Sequence, residues 1–263
     1  MKPNFRRYGT PPFNVVVLHG GPGSAGGMMP LAQLLAPNHG VLEPIQRASS
    51  IAGQIEELKN VLETHADSPV TLIGHSWGAW LGYLFCAKHP VLTKKLIMVA
   101  SGGFEEKYAA QTQKTRFSRL SKTEREEVGQ LLEIFKRPST GHDNDRFLRL
   151  GELFFKVDAY DPLPQQELDV ELDIDIYKAV WGEATRLRRS GELLERGKQI
   201  STPVLAIHGD YDSHAYAGVQ TPLADVLENF RFILLPNCGH KPWIERQARD
   251  RFLNILEEEL SLS

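Results

Sequence analysis

The stretch "VTLIGHSWGAWLGYLF", residues 70–85, decides the fold. An apolar, β-branched run stops at Gly74, and a helix-like apolar run begins near Trp77. Between them stands Ser76, with Gly74 and Gly78 two places away on either side. A strand that feeds straight into a helix must reverse within about one residue, so the residue at the bend takes a strained backbone conformation. Its side chain then projects at the carboxyl edge of the sheet. The positions two before and two after must be small, because strand and helix close on each other there. The helix N-terminus at Trp77 also turns unpaired backbone N–H groups toward any negative charge. The bland alternative is a glycine-flanked turn with a solvated serine; placement after a buried-type strand and before a helix favours the bend.

Working outward, near-continuous apolar runs recur at 14–20 ("NVVVLHG"), 95–102 ("KLIMVASG"), 203–209 ("PVLAIHG") and 231–236 ("RFILLP"). Strands buried on both faces of a parallel sheet read this way. Residues 40–46 ("GVLEPIQ") make a weaker strand because Pro44 interrupts them. Helical patterns fill 50–65, 77–89, 222–230 and 243–260; in the first, Ile51, Ile55, Leu58 and Leu62 form one stripe. Strand–helix alternation predicts an α/β fold, a mostly parallel sheet flanked by helices. Residues 103–199 break the rhythm: they are charged and mostly helical, and they hold more than half of all the Lys, Arg, Asp and Glu. We read 1–102 and 200–263 as one core and 103–199 as a helical insertion. Within it, 168–176 ("LDVELDIDI") alternates Leu168, Val170, Leu172, Ile174 and Ile176 with acids, the pattern of a short strand or extended edge.

A net charge of −3 over 263 residues gives no electrostatic footprint for nucleic acid or an anionic membrane. No apolar run has the length of a membrane span. The N-terminal "MKPNFRRYGTPPF" is basic but leads into no apolar segment, so it is not read as a signal peptide, and a cytoplasmic protein is expected. Cys86 and Cys238 suggest neither a disulfide framework nor a metal site, and Cys86 reads as a small buried thiol.

A serine is a weak nucleophile without a base and an acid to orient that base. The chain supplies both after later strands: "DYDSH" (210–214) offers Asp210 and Asp212, and "NCGHKPW" (237–243) offers His240. Both segments lie just past strand carboxyl ends, where open α/β sheets bind ligands. Asp212 is favoured over Asp210, which reads as a turn former. His19, His75 and His208 sit at strand ends in structural roles. The loop "HGGPG" (19–23) brings backbone close to a substrate, and the N–H groups of Gly21 and Trp77 are the two candidate oxyanion donors. Loss of one such donor costs on the order of 3 kcal/mol of transition-state stabilisation. The same loop also satisfies a dinucleotide-binding pattern through Gly21, Gly23 and Gly26, with Glu43 in the place of a ribose-binding carboxylate. Pro22 removes a donor from that loop, and an oxidoreductase would leave Ser76, Asp212 and His240 without a role.

"GHSWG", "GDYD" and "GHKPWIE" together resemble the α/β-hydrolase superfamily, and "HGGPG" followed by "GHSWG" resembles its proline iminopeptidase branch. The resemblance implies an inserted helical cap, the oxyanion hole just named, no cofactor and a cis bond before Pro22. It also implies a cap carboxylate for a substrate amine: "AVWGEAT" (179–185) resembles the segment that carries it, making Glu183, with Trp181, the substrate-side candidates. If 176–189 is helical, Ile176, Val180, Glu183 and Leu187 share one side. A surface ion pair with Arg186 or Lys178 is the plainer reading of Glu183. The two-stranded hairpin usual before the strand at 14 is missing. The expectation is a serine hydrolase of a small amide or ester, first a short peptide with a free amino end. A carboxylesterase or a carbon–carbon bond hydrolase is the alternative, and a non-catalytic scaffold on the same fold is less favoured.

Overall fold

A computed structural model describes residues 4–137, 143–164 and 170–261. Its strands are β1 (Phe5–Tyr8), β2 (Phe13–Leu18), β3 (Ser24–Ala25), β4 (Gly40–Pro44), β5 (Val70–His75), β6 (Thr93–Val99), β7 (Glu171–Leu172), β8 (Val204–Gly209) and β9 (Phe230–Leu235). Seven of them form one sheet in the order β1-β4-β2-β5-β6-β8-β9. Only the β1–β4 pair is antiparallel; every other neighbour is parallel. The remaining two, β3 and β7, make a small antiparallel ribbon of their own.

The helices are α1 (Met29–Leu35), α2 (Ile51–His65), α3 (Trp77–Lys88), α4 (Glu106–Arg119), α5 (Lys122–Phe135), α6 (Asp143–Asp158), α7 (Ile174–Ser190), α8 (Glu192–Glu195), α9 (Ala217–Val226) and α10 (Arg249–Ser261). Because side chains alternate along a strand, each strand feeds two cores. Val16, Leu18, Leu72, Leu96, Met98 and Val204 pack with α2, α3 and α9. Val15, Val17, Ile73, Ile97, Leu205 and Ile207 pack on the other face with α1 and α10. All four residues of the α2 stripe are buried, and Ser50 caps that helix by accepting from the Gly53 N–H at 3.1 Å. In α3, every residue from Trp77 to Cys86 is buried, so the central helix shows no polar face.

Between β6 and β8 the chain forms α4 to α8. Leu120, Val128, Leu131, Leu150, Leu153 and Val157 build a separate small cluster there, whereas Val180 and Ala184 of α7 join the main core. Among the described residues no helix is long and apolar enough to cross a membrane.

Four elements differ from the sequence reading. No hairpin precedes β2, but one strand does: β1 runs along the sheet edge and is only half buried, so it lacks the continuous apolar signature of its neighbours. Pro44 does not weaken β4, which is buried throughout and simply ends on the proline. The helix predicted from Pro222 begins at Ala217 and contains the proline. Pro222 has no N–H to offer the Gly218 carbonyl, and the Phe104 N–H takes that place at 3.0 Å. The helix predicted from 243 begins at Arg249, after a short 3-10 turn at Pro242–Ile244. In the alternating stretch, Leu168 lies outside the described residues. Glu171–Leu172 is a strand, but Ile174 and Ile176 already belong to α7, whose start is capped by Asp173 accepting from Asp175 and Ile176 N–H groups.

Candidate active site

Ser76 joins β5 to α3 with φ 52° and ψ −112°, a conformation that costs a non-glycine residue of order 1–3 kcal/mol. Its N–H donates to the Val99 carbonyl at 2.9 Å. The flanking glycines are required by contact. A Cβ on Gly74 would lie 2.3 Å from the Gly78 carbonyl oxygen, and one on Gly78 would lie 2.3 Å from that of Leu18. The bend therefore exists only because the strand and helix backbones touch. The loop after β2 presses on the same spot: a Cβ on Gly20 would lie 3.1 Å from the Ser76 Cβ.

That loop turns over Gly21–Ser24, closed by the Ser24 N–H donating to the Gly21 carbonyl at 3.0 Å. Pro22 and left-handed Gly23 (φ 70°) occupy its centre, the residues a type II turn selects. The bond before Pro22 is not cis; among the described residues the cis peptide bonds are at Pro11-Pro12 and Ser68-Pro69. Left-handed Gly21 and Gly23 make the sharp turn instead. Gly23 is also fixed from outside, since its carbonyl accepts from the Asp173 N–H at 2.8 Å, one residue before α7.

Asp212 and His240 meet. The buried Asp212 carboxylate accepts from His240 Nδ1 through Oδ2 at 2.7 Å. Burial alone would raise its pKa, but facing His240 and His214 outweighs that and holds the carboxyl well below the usual range. Asp210 instead ties the two loops together, its Oδ1 accepting from the Cys238 N–H at 3.2 Å. The His240 carbonyl accepts from His75 Nε2 at 2.9 Å, and the two rings lie 4.7 Å apart. His75 directly precedes the bend, so this contact ties the His240 loop to Ser76. Among the described residues the Ser76 hydroxyl makes no hydrogen bond. Such contacts commonly tighten only when substrate is present.

Two groups hold the loop carrying His240, and a third holds the loop carrying Asp212. Its N–H donates to the Asp158 carbonyl at 2.9 Å. The fully buried Glu245 accepts from the N–H groups of Gly239 (3.0 Å), Tyr160 (3.0 Å) and Asp161 (2.8 Å). The Asp158 carboxylate accepts from the Ser213 hydroxyl and from Arg116, whose Nη2 lies at 2.6 Å. Burial opposes ionisation of Asp158, but the Arg116 guanidinium prevails and lowers its pKa. Helices α4 and α6 are thus joined to both loops that carry Asp212 and His240. Little of this was legible in the sequence, because apart from the Gly239–Glu245 bond these contacts join residues far apart in the chain.

His214 is a further residue the sequence reading passed over, although it closes the quoted "DYDSH". Its ring Nδ1 and its backbone N–H both donate to Asp212 Oδ1 at 2.9 Å, and its ring stacks on His240 at 4.6 Å. Asp212, His214 and His240 offer one ligand atom each within 4.8 Å of one another, the one such grouping among the described residues. In this arrangement both ring Nδ1 atoms are spent on the carboxylate.

The substrate-side candidates, Glu183 and Trp181, both lie on α7. Glu183 Oε2 accepts from the Ile51 N–H at 3.0 Å, which places its carboxylate on the N-terminus of α2. One oxygen of Glu183 thus has a partner within the fold, the positive end of the α2 dipole. Trp181 stacks between Trp80 of α3 (5.6 Å) and Tyr177 (6.2 Å). A groove of about 840 Å³ opens among the insertion helices, with Phe117, Phe135, Tyr177 and Trp181 alongside the charged Glu133, Lys136, Arg137 and Lys178 in its lining. Neither Ser76 nor His240 lines it. Glu43 is not available to a ribose. It is fully buried, accepting from the Tyr8 hydroxyl at 2.7 Å and the Met28 N–H at 2.9 Å.

Comparison with known proteins agrees with this architecture. The pattern of the alpha/beta hydrolase family matches residues 15–255. Proline iminopeptidase of Heyndrickxia coagulans is 25% identical over 258 residues, covering 90% of this chain and 86% of that protein. Monoacylglycerol lipase ABHD6 of Mus musculus is 27% identical over 208 residues, 76% of this chain and 58% of the lipase. The crystal structure of VinJ superposes with a TM-score of 0.72 at 18% identity, covering 98% of this chain and 94% of that one.

Proposed function

We propose that this chain, which belongs to the alpha/beta hydrolase family, is a serine hydrolase that needs no cofactor and works through an acyl-enzyme. His240 takes the proton from Ser76 as the Ser76 Oγ attacks a substrate carbonyl. The N–H groups of Gly21 and Trp77 receive the oxyanion. As the tetrahedral species collapses, the imidazolium gives its proton to the leaving group; water then attacks the acyl-serine with His240 again as base. Asp212 holds the ring tautomer and stabilises the imidazolium. The observation that carries this reading is the 2.7 Å Asp212–His240 contact beside a serine in a left-handed bend.

The helices of residues 103–199 serve as the cap, and the substrate is a small neutral ester or amide. One oxygen of Glu183, the named carboxylate for a peptide's amino end, already accepts from the Ile51 N–H, which favours a neutral substrate over a free amine. Tyr177 and Trp181 give the insertion an aromatic character suited to an uncharged acyl group. An aminopeptidase of the proline iminopeptidase type is the second reading, favoured by the match over most of both chains. Two free, buried thiols suit a reducing, cytoplasmic setting.

A fluorophosphonate probe tests the chemistry: a covalent adduct on Ser76, absent in Ser76→Ala, is expected, and unlabelled folded protein rejects the reading in favour of a binding scaffold. A panel of p-nitrophenyl esters against p-nitroanilides with free amino ends tests the substrate. Faster turnover of the esters is expected; preference for the anilides establishes the aminopeptidase instead.

A further inference from the structure

Asp212 serves two histidines. Its Oδ2 faces His240 at 2.7 Å, while its Oδ1 accepts from the ring and the backbone of His214 at 2.9 Å. The two imidazoles stack with planes 23° apart. Of the two bonds on its second oxygen, one comes from the main chain and the other from a ring. The pair is enclosed. His208 Nε2 lies 3.3 Å from Asp212 Oδ2 and bonds the His214 carbonyl at 2.9 Å. His75 stacks edge-on against Trp243 and lies over His240. Arg116, Asp158 and Lys241 complete the charged surroundings.

We infer that His214 is a positioning residue for the hydrolysis proposed above: it pins Asp212 Oδ1 and draws charge away from the carboxylate, weakening the support that Asp212 gives to a protonated His240. The inference rests on that functional reading. A hydrogen bond to a carboxylate stabilises its charge locally, leaving less to stabilise an imidazolium on the other oxygen. His214 performs this in its neutral form. Burial, against the opposing pull of Asp212, lowers its pKa to about 4, so near neutral pH the ring carries one proton, on Nδ1, and donates without adding a charge.

The test is the rate of fluorophosphonate labelling of Ser76 against pH, in the parent, His214→Phe and His214→Asn. Phenylalanine keeps a stacked ring and removes the donor. Asparagine places an amide N–H near the position of Nδ1 and removes the ring. In His214→Phe the acid limb of the profile should move to higher pH by about half a unit to one unit. In His214→Asn it should return close to the parent. Circular dichroism and urea unfolding confirm that each variant is folded. A His214→Phe limb that coincides with the parent overturns the inference, as does an asparagine variant shifted as far as the phenylalanine one. If either variant does not fold, a pH titration of the parent by NMR decides. His214 protonating together with His240 overturns the inference, and His214 remaining neutral while His240 titrates supports it. A parent that takes no label at any pH overturns the functional reading itself, and this inference with it.

Discussion

Replacing Glu245 separates the two jobs a buried carboxylate can have, holding the fold and holding a functional loop. Glu245 is fully buried and accepts three backbone N–H groups, two on Oε1 (Gly239 and Tyr160) and one on Oε2 (Asp161). A bond to a charged acceptor contributes roughly 1.5–3 kcal/mol, and a buried donor left unpaired costs about 1–3 kcal/mol. Glu245→Gln can keep the two bonds at Oε1 with its carbonyl oxygen but turns an amide N–H toward the Asp161 N–H. One bond is lost, so about 2 kcal/mol of stability should go. Glu245→Ala strands all three donors and leaves a cavity, and about 4–5 kcal/mol should go. Urea unfolding reads both values, provided the slope with denaturant stays that of the parent. Because Gly239 directly precedes His240, fluorophosphonate labelling should slow in the order parent, glutamine, alanine. Equal losses in the two variants, or losses below about 0.5 kcal/mol in both, would refute the hydrogen-bond reasoning.

Other consequences are checked by the same measurements. Ser76→Gly should raise stability by about 1 kcal/mol while abolishing labelling, because φ 52° is strained for serine and free for glycine. Gly78→Ala should cost more than about 3 kcal/mol or prevent folding, since the new methyl meets the Leu18 carbonyl. Gly182→Ala, inside α7 with open space around it, should instead stabilise by about 0.5–1 kcal/mol. His19 is buried with its Nε2 unpartnered, and burial lowers its pKa to about 4. Unfolded, a histidine takes its proton near pH 6.5, so between these values the unfolded state binds more protons and stability falls as pH falls. The slope from this group is about 1.4 kcal/mol per pH unit at most, and His19→Gln should flatten the urea midpoint against pH by that much; an unchanged slope rejects it.

The buried parallel strands were legible because strands covered on both faces have no polar positions to interrupt them. The bend was legible because contact between two backbones admits only glycine at 74 and 78. The association of Asp212 with His240 followed from strand order, since both stand just past carboxyl ends. Edge strand β1 was not legible: Arg6 and Arg7 give it no continuous apolar run, and its identity comes from pairing with β4. Nor was the inclusion of Pro222 in α9, which depends on a donor from Phe104. The Ile51 partner of Glu183 was not legible for a related reason. A carboxylate on the apolar side of a helix needs a partner, and a local pattern cannot say whether that partner is a ligand or the distant end of α2.

The bond between Asp173 and Gly23 makes one mechanical body of α7's leading end and the glycine turn beside Ser76. An excursion that lifts that end of the helix must either break this bond or carry the turn with it, so on the hydrolase reading proposed above the insertion and the Gly21 N–H are held by one tether.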